Sequence, residues 1–192
     1  ATVALSIAMD LWSPAHEIGR SGQRAAKGAR KLVATSIFRN HADFAATLPR
    51  RGGLLALDVS KRAIGLAGTD AERRMVTPLF THPRKSWAHD RETLVQLVRK
   101  RATVALVVGW PLGLDDQEGQ ACDRVRNFLD LLVPVLNLPV LLQDERFTTG
   151  GVEAAIEAGD LPPPGKDGKI DHLAAALILD EALHHIGRPA VA

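Results

Sequence analysis

Residues 54–65 read Leu-Leu-Ala-Leu-Asp-Val-Ser-Lys-Arg-Ala-Ile-Gly. The run 54–57 is apolar without a break, which is the pattern of a strand buried on both faces in the middle of a sheet; a half-exposed strand would alternate. It ends on Asp58. A carboxylate at the end of a buried strand is costly to desolvate unless something meets it, so a metal ion, a basic partner or a hydrogen-bond cage is expected there. Lys61 and Arg62 follow within one turn, and 63–67 is again apolar. The stretch predicts a β-hairpin carrying an acid and two cations at its bend. Taken alone, it also fits a capped turn with surface charges.

Toward the C-terminus the pattern stays regular. Residues 74–81 alternate enough for a third strand, with Pro83 to stop it. Leu94, Leu97 and Val98 recur at helical spacing within 87–101, and this predicted helix finishes on Arg99-Lys100-Arg101, where cations favour the helix dipole. Residues 103–108 are apolar throughout. They predict a second central strand, parallel to the first, with the helix as crossover. Gly109-Trp110-Pro111 breaks it, and Val125, Phe128, Leu129 and Leu132 then share one face of a helix over 120–133 that Pro134 is expected to end. A fifth strand over 139–142 runs into Gln143-Asp144-Glu145-Arg146. A short helix over 152–158, a Pro/Gly loop over 159–168 and a last helix over 170–185 complete the chain.

The expected fold is therefore α/β: a mixed five-stranded sheet, three strands as an antiparallel meander plus two parallel strands, with helices on its faces. Acids recur at strand ends or helix starts, at Asp58, at Asp144-Glu145 and at Asp171. Open α/β sheets put their sites at the carboxyl ends of strands, so this convergence says more than any single acid does.

Charge divides the chain unevenly. Across 192 residues the net charge is +2, but residues 1–53 hold 8 Lys/Arg against 3 Asp/Glu. The remainder is therefore not a generic polycation, and any nucleic acid it binds is held by local basic patches or through cations on its acids. Residues 1–53 are expected to be a loosely ordered basic extension, with an organelle address as the alternative. The pair Gly52-Gly53 marks the boundary, 54–187 form the domain and 188–192 a tail. A single cysteine, Cys122, excludes an intrachain disulfide and fits a reducing, cytoplasmic compartment. No apolar run reaches the length of a membrane span, so no membrane partner is expected.

Four segments in order carry a family resemblance: Leu-Asp-Val-Ser-Lys-Arg-Ala-Ile-Gly at 57–65, Val-Gly-Trp-Pro-Leu-Gly-Leu-Asp-Asp-Gln-Glu-Gly at 108–119, Asp-Glu-Arg-Phe-Thr-Thr at 144–149, and Lys-Ile-Asp-His-Leu-Ala-Ala at 169–175. Over about residues 54–186 the chain resembles the YqgF family, also called RuvX or Holliday junction resolvase-like, of the ribonuclease H-like superfamily. The resemblance implies a ribonuclease H-like fold and a nuclease that matures the 5′ end of precursor 16S ribosomal RNA, or one that cuts branched DNA. Cutting a phosphodiester needs an activated water, neutralised charge on phosphorus and a stabilised leaving oxygen, which two hard cations roughly 4 Å apart supply when carboxylates hold them. By resemblance, Asp58, Glu145 and Asp171 would bind Mg²⁺ or Mn²⁺, and Glu118 is a fourth catalytic candidate. Lys61, Arg62 and Arg146 would contact phosphates beside the metals. The expected partners are precursor rRNA or branched DNA, and ribosomal particles; oligomeric state is open.

Each residue also has a plainer reading. Asp171 and Glu118 would serve as acids in the first turn of a helix, and Asp144-Glu145 would pair with Arg146 in a surface turn. Arg84 and Lys85, beside His82 and Trp87, form a second candidate backbone-binding patch. Trp110 would either stack on a base or pack in the core. His172, His184 and His185 have no metal-site spacing. Lys166 and Lys169 flank the end of the Pro/Gly loop and are expected to make it a basic lip on the substrate groove. Three departures from the family pattern stand out: Ser60 and Asp116 where glycine is usual, and Gly150-Gly151 where a helix customarily starts. The Asp58 hairpin also resembles the first phosphate motif of sugar kinases and actin, but 192 residues cannot hold the second domain those folds need. A catalytically silent RNA-binding module is a further alternative, one with no use for three converging acids.

Overall fold

The computed structural model describes residues 37–113, 115–145 and 171–187. The chain divides between Leu32 and Val33, and all described residues belong to the second part. In chain order the elements are β1 (Ile37–Phe38), α1 (His41–Thr47), β2 (Gly53–Val59), β3 (Ala63–Thr69), β4 (Val76–Pro83), α2 (Trp87–Lys100), β5 (Thr103–Trp110), α3 (Gln120–Leu136), β6 (Val140–Asp144) and α4 (Asp171–Ile186).

The unbroken apolar run of β2 has the cause expected of it. Side chains alternate across a strand, and here both sides meet a core. Leu55, Leu57 and Val59 join Leu106 and Val108 of β5 beneath α2 and α3, while Leu54 and Ala56 join Ala105 and Val107 beneath α1 and α4. The sheet order is β1-β6-β5-β2-β3-β4. β2, β3 and β4 form the antiparallel meander, and β5, β6 and β1 extend it in parallel from β2. All the parallel strands therefore end at one edge.

The sheet has six strands, not five. The sixth comes from the expected N-terminal extension: Ile37 and Phe38 pair with Val140 and Leu141, and Phe44 of α1 is fully buried in the core under α4. Two apolar anchors within seven residues suffice to dock this short segment, so the domain begins well before Gly53. Residues 1–36 of the extension, the short helix over 152–158, the loop over 159–168 and the tail lie outside the described residues.

Pro134 does not end α3. It sits inside the last turn, where the backbone bond it forfeits is the one to Asp130, an exposed position at which water can reach the carbonyl. The helix stops at Asn137, whose left-handed backbone (φ 50°) lets its N–H donate to the Val133 carbonyl at 2.9 Å. Among the described residues no helix is long and apolar enough to cross a membrane.

Candidate active site

The alternation that builds the two cores also aims the acids. Asp58 continues the Leu54, Ala56 side of β2 and so belongs to the face covered by α4. Directly across the β2–β3 ladder stands Gly65. A Cβ built on Gly65 would overlap the backbone carbonyl of Asp171, so this glycine lets the first turn of α4 lie on the sheet with its acid beside Asp58. Gly109 of β5 plays the matching part for the third acid. A Cβ there would overlap the Glu145 carboxylate and come within 2.8 Å of Ile178 Cδ1. The Glu145 N–H donates to the Trp110 carbonyl at 3.2 Å, which ties the end of β6 to the end of β5.

Electrostatics links the acids through Asp58. Burial, and then the charge of Asp171, pushes the Asp58 carboxyl up from 3.8 to about 6. Burial, then Asp58, then Asp144, pushes Glu145 up from 4.5 to about 8. Buried carboxylates gathered with like charges beside them are a receptor for a hard cation, and the all-oxygen donor set selects Mg²⁺, Mn²⁺ or Ca²⁺ over softer metals. Among the described residues no three His, Cys, Asp or Glu stand close enough to clamp an ion as they are. Repulsion among like charges works against closer approach in the absence of a cation. In donor chemistry, these residues fit a divalent metal.

Other expected residues fare differently. Lys61 and Arg62 are exposed at the β2–β3 bend. Ser60 shapes that bend: its hydroxyl accepts from the N–H groups of Arg62 (3.3 Å) and Ala63 (3.0 Å) and takes over the turn from the usual glycine. Asp116 has φ 62°, a left-handed conformation that explains why glycine is customary there and that aspartate tolerates. Glu118 does not join the acids. It is exposed and paired with Arg39 and Arg126, whose hydrogen bonds and charges hold its carboxyl below the usual range. Arg39 follows β1 and lay beyond what sequence patterning linked to Glu118. Arg146, Lys166 and Lys169 lie outside the described residues.

Trp110 packs in the core, 4% exposed, with the guanidinium groups of Arg39 and Arg126 at 5.1 and 5.4 Å from its ring, so it offers no face to a base. His172 meets Thr81 Oγ1 at 3.2 Å, and His185 meets Glu181 at 2.9 Å. What sequence reading missed is the role of Gly65 and Gly109. The signal was present as glycines interrupting apolar strands, the mark of a close approach.

A family model described as RuvX, Holliday junction resolvase, matches residues 52–185. A relative from Sphingopyxis alaskensis named "Putative pre-16S rRNA nuclease" is 42% identical over 146 residues, which are 76% of this chain and 95% of the relative. A relative of the same name from Cereibacter sphaeroides is 38% identical over 75% of this chain and 90% of its own length. Among solved structures, T. thermophilus RuvC in complex with a Holliday junction substrate is similar with TM-score 0.46 at 13% identity, covering 70% of this chain and 93% of that one.

Proposed function

The chain belongs to the RuvX family of Holliday junction resolvases, and from that premise we propose that it is a metal-dependent nuclease that hydrolyses phosphodiester bonds and matures the 5′ end of precursor 16S rRNA in the cytoplasm. The observation that carries this reading is the convergence of Asp58 and Glu145, both with raised pKa values, on the N-terminal acid of α4.

Asp58, Glu145 and Asp171 would hold the cation, Mg²⁺ or Mn²⁺. When bound, such a cation supplies Lewis acidity to the phosphoryl group and to the water that attacks it. The chain's own part is to orient three carboxylates on rigid elements, two strand ends and a helix start, and to exclude water with the α4 turn seated over Gly65. Glu145, pushed up to about 8, is mostly protonated at neutral pH, so holding a cation there would require it to give up that proton. Lys61 and Arg62 at the bend would meet substrate phosphates, joined by Arg146, Lys166 and Lys169. Glu118 is left out of the ligand set because Arg39 and Arg126 already engage it.

The relatives' name favours precursor rRNA, on or near ribosomal particles, as substrate. The family description favours a second reading, an endonuclease acting on branched DNA, and the carboxylate chemistry serves both. Cleavage of labelled precursor rRNA and of a four-way junction by one preparation, with and without Mn²⁺, tests the proposal. Mn²⁺-dependent cutting of the rRNA at its 5′ processing site is expected. Preferential cutting of the junction would transfer the function to the second reading, and RNA binding with no metal-dependent cleavage of either would reduce the protein to a binding module.

A further inference from the structure

Among the described residues, four cations gather beside the β2–β3 bend. A cleft of about 570 Å³ opens there, and Lys61, Arg84, Lys85 and Arg124 line it. They come from three elements: the bend after β2, the segment between β4 and α2, and the first turns of α3. The cleft's one acid, Asp123, is already bonded to Arg126 at 2.6 Å. Among the described residues, Lys61, Lys85 and Arg124 make no side-chain ion pair or hydrogen bond. Four cations facing one space repel one another, so an anion placed among them is favoured.

The wall of the cleft is built, not incidental. Buried Asp90 accepts from the Lys85 N–H at 3.2 Å, meets His82 Nε2 at 2.9 Å and lies 3.6 Å from Arg84 Nε. Arg84 in turn donates to the Ser60 carbonyl at 3.1 Å and lies 5.1 Å over the Phe128 ring. Its guanidinium is thus preorganised beside Lys61. The α3 N-terminus, whose Gly119 cap supplies no side-chain acceptor, adds unpaired N–H groups on the same side.

Asp58 faces the α4 side of the sheet, whereas this cleft adjoins α2 and α3; the β2–β3 bend is common to both. We infer that the cleft binds the sugar-phosphate backbone of the substrate nucleic acid to one side of the bond that is cut, with the strand crossing the bend between cleft and acids. The inference rests on the nuclease reading and names where the flanking strand is held. Cations on three separate elements suit successive phosphates of one strand, and the exposed lysines suit an extended ligand.

The test is the double variant Lys85→Gln/Arg124→Gln, whose side chains make no ion pair or hydrogen bond among the described residues. Affinity for a labelled precursor-rRNA fragment is measured against salt concentration in EDTA. The binding constant should fall about 10-fold near physiological salt, and the log–log salt slope should flatten by roughly 1.4 to 1.8 for two lost phosphate contacts. Arg99→Gln/Lys100→Gln removes the same charge at the far end of α2 and should alter the slope by less than about 0.5. A Lys85/Arg124 variant that binds like wild type, or loses no more than the α2 control, overturns the inference. So does tight binding of inorganic phosphate that the variant loses while keeping its RNA affinity, since the cleft would then serve a small anion. Mn²⁺-dependent hydrolysis of bis(p-nitrophenyl) phosphate by wild type, compared with Asp58→Asn, reports separately on the nuclease reading. If that hydrolysis is intact while RNA binding ignores the cleft, the cleft inference alone fails.

Discussion

Replacing Asp58 with asparagine should make the metal-free protein more stable and the enzyme inactive, and the size of the gain follows from the structure. Asp58 titrates at about 6 in the fold against an ordinary 3.8, chiefly through burial and secondarily through Asp171. A folded pKa above the unfolded one means that stability is fully present below about pH 4 and is lost as pH rises through 6. For a fully buried group the loss at pH 8 would be about 3 kcal/mol, of which about half is already felt at pH 5. Partial solvation of the carboxylate reduces this to about 1–2 kcal/mol, or about 3–6 °C in melting temperature for a domain of this size. Asparagine resembles the protonated acid, so Asp58→Asn should melt higher than wild type at pH 8 in EDTA, with a gap about half as large at pH 5. Adding Mn²⁺ should reverse the order, because wild type gains about 2.7 kcal/mol at a hundredfold excess over its dissociation constant and the variant gains little. Circular dichroism melts at two pH values, with and without metal, read all four states. A variant less stable than wild type at both pH values, or equally stabilised by Mn²⁺, would refute the reasoning, as would near-normal turnover by the folded variant.

Glu145, held at about 8, should make Mn²⁺ binding tighten by up to tenfold per pH unit between about pH 6 and 8 and release about one proton at pH 7; calorimetry in buffers of different ionisation heat counts that proton, and a pH-independent affinity would exclude Glu145 as a ligand. Gly109→Ala should displace the Glu145 carboxylate, lowering metal affinity and turnover by tenfold or more at a stability cost of about 1–2 kcal/mol, whereas Gly65→Ala meets backbone and should cost more than about 2 kcal/mol. Deleting residues 1–36 should leave the melting temperature almost unchanged, but deletion through Leu48 removes buried Phe44 and should cost about 3 kcal/mol or more; equal melts for the two truncations would show that α1 contributes nothing. Neutralising Lys166 and Lys169 together should flatten the salt dependence of RNA binding by roughly 1 to 2 without changing metal affinity, and an unaltered slope would make that loop a plain connector.

Most of the chain's local structure was legible without coordinates because its signals are local. Apolar runs at 54–57 and 103–108 announce strands covered on both faces, and the 3.6-residue recurrence of Val125, Phe128, Leu129 and Leu132 announces α3 with the face it buries. The resemblance carried by four short segments, together with this order of elements, sufficed for the family and singled out three acids as candidates. Tertiary structure decided what depends on partners distant in sequence. Ile37 and Phe38 have no strand pattern of their own and become β1 only because β6 offers an open edge. Glu118 and Glu145 are the same residue type, yet Arg39, 79 residues away, engages one, whereas the end of β6 brings the other beside Asp58. Gly65 and Gly109 look like weak points in strands until a helix turn and a carboxylate occupy the space a side chain would have filled. The identity of a residue limits which chemistry it can perform, whereas whether it performs it depends on the field and the free volume that the folded neighbours create around it, and those exist only once the chain has closed.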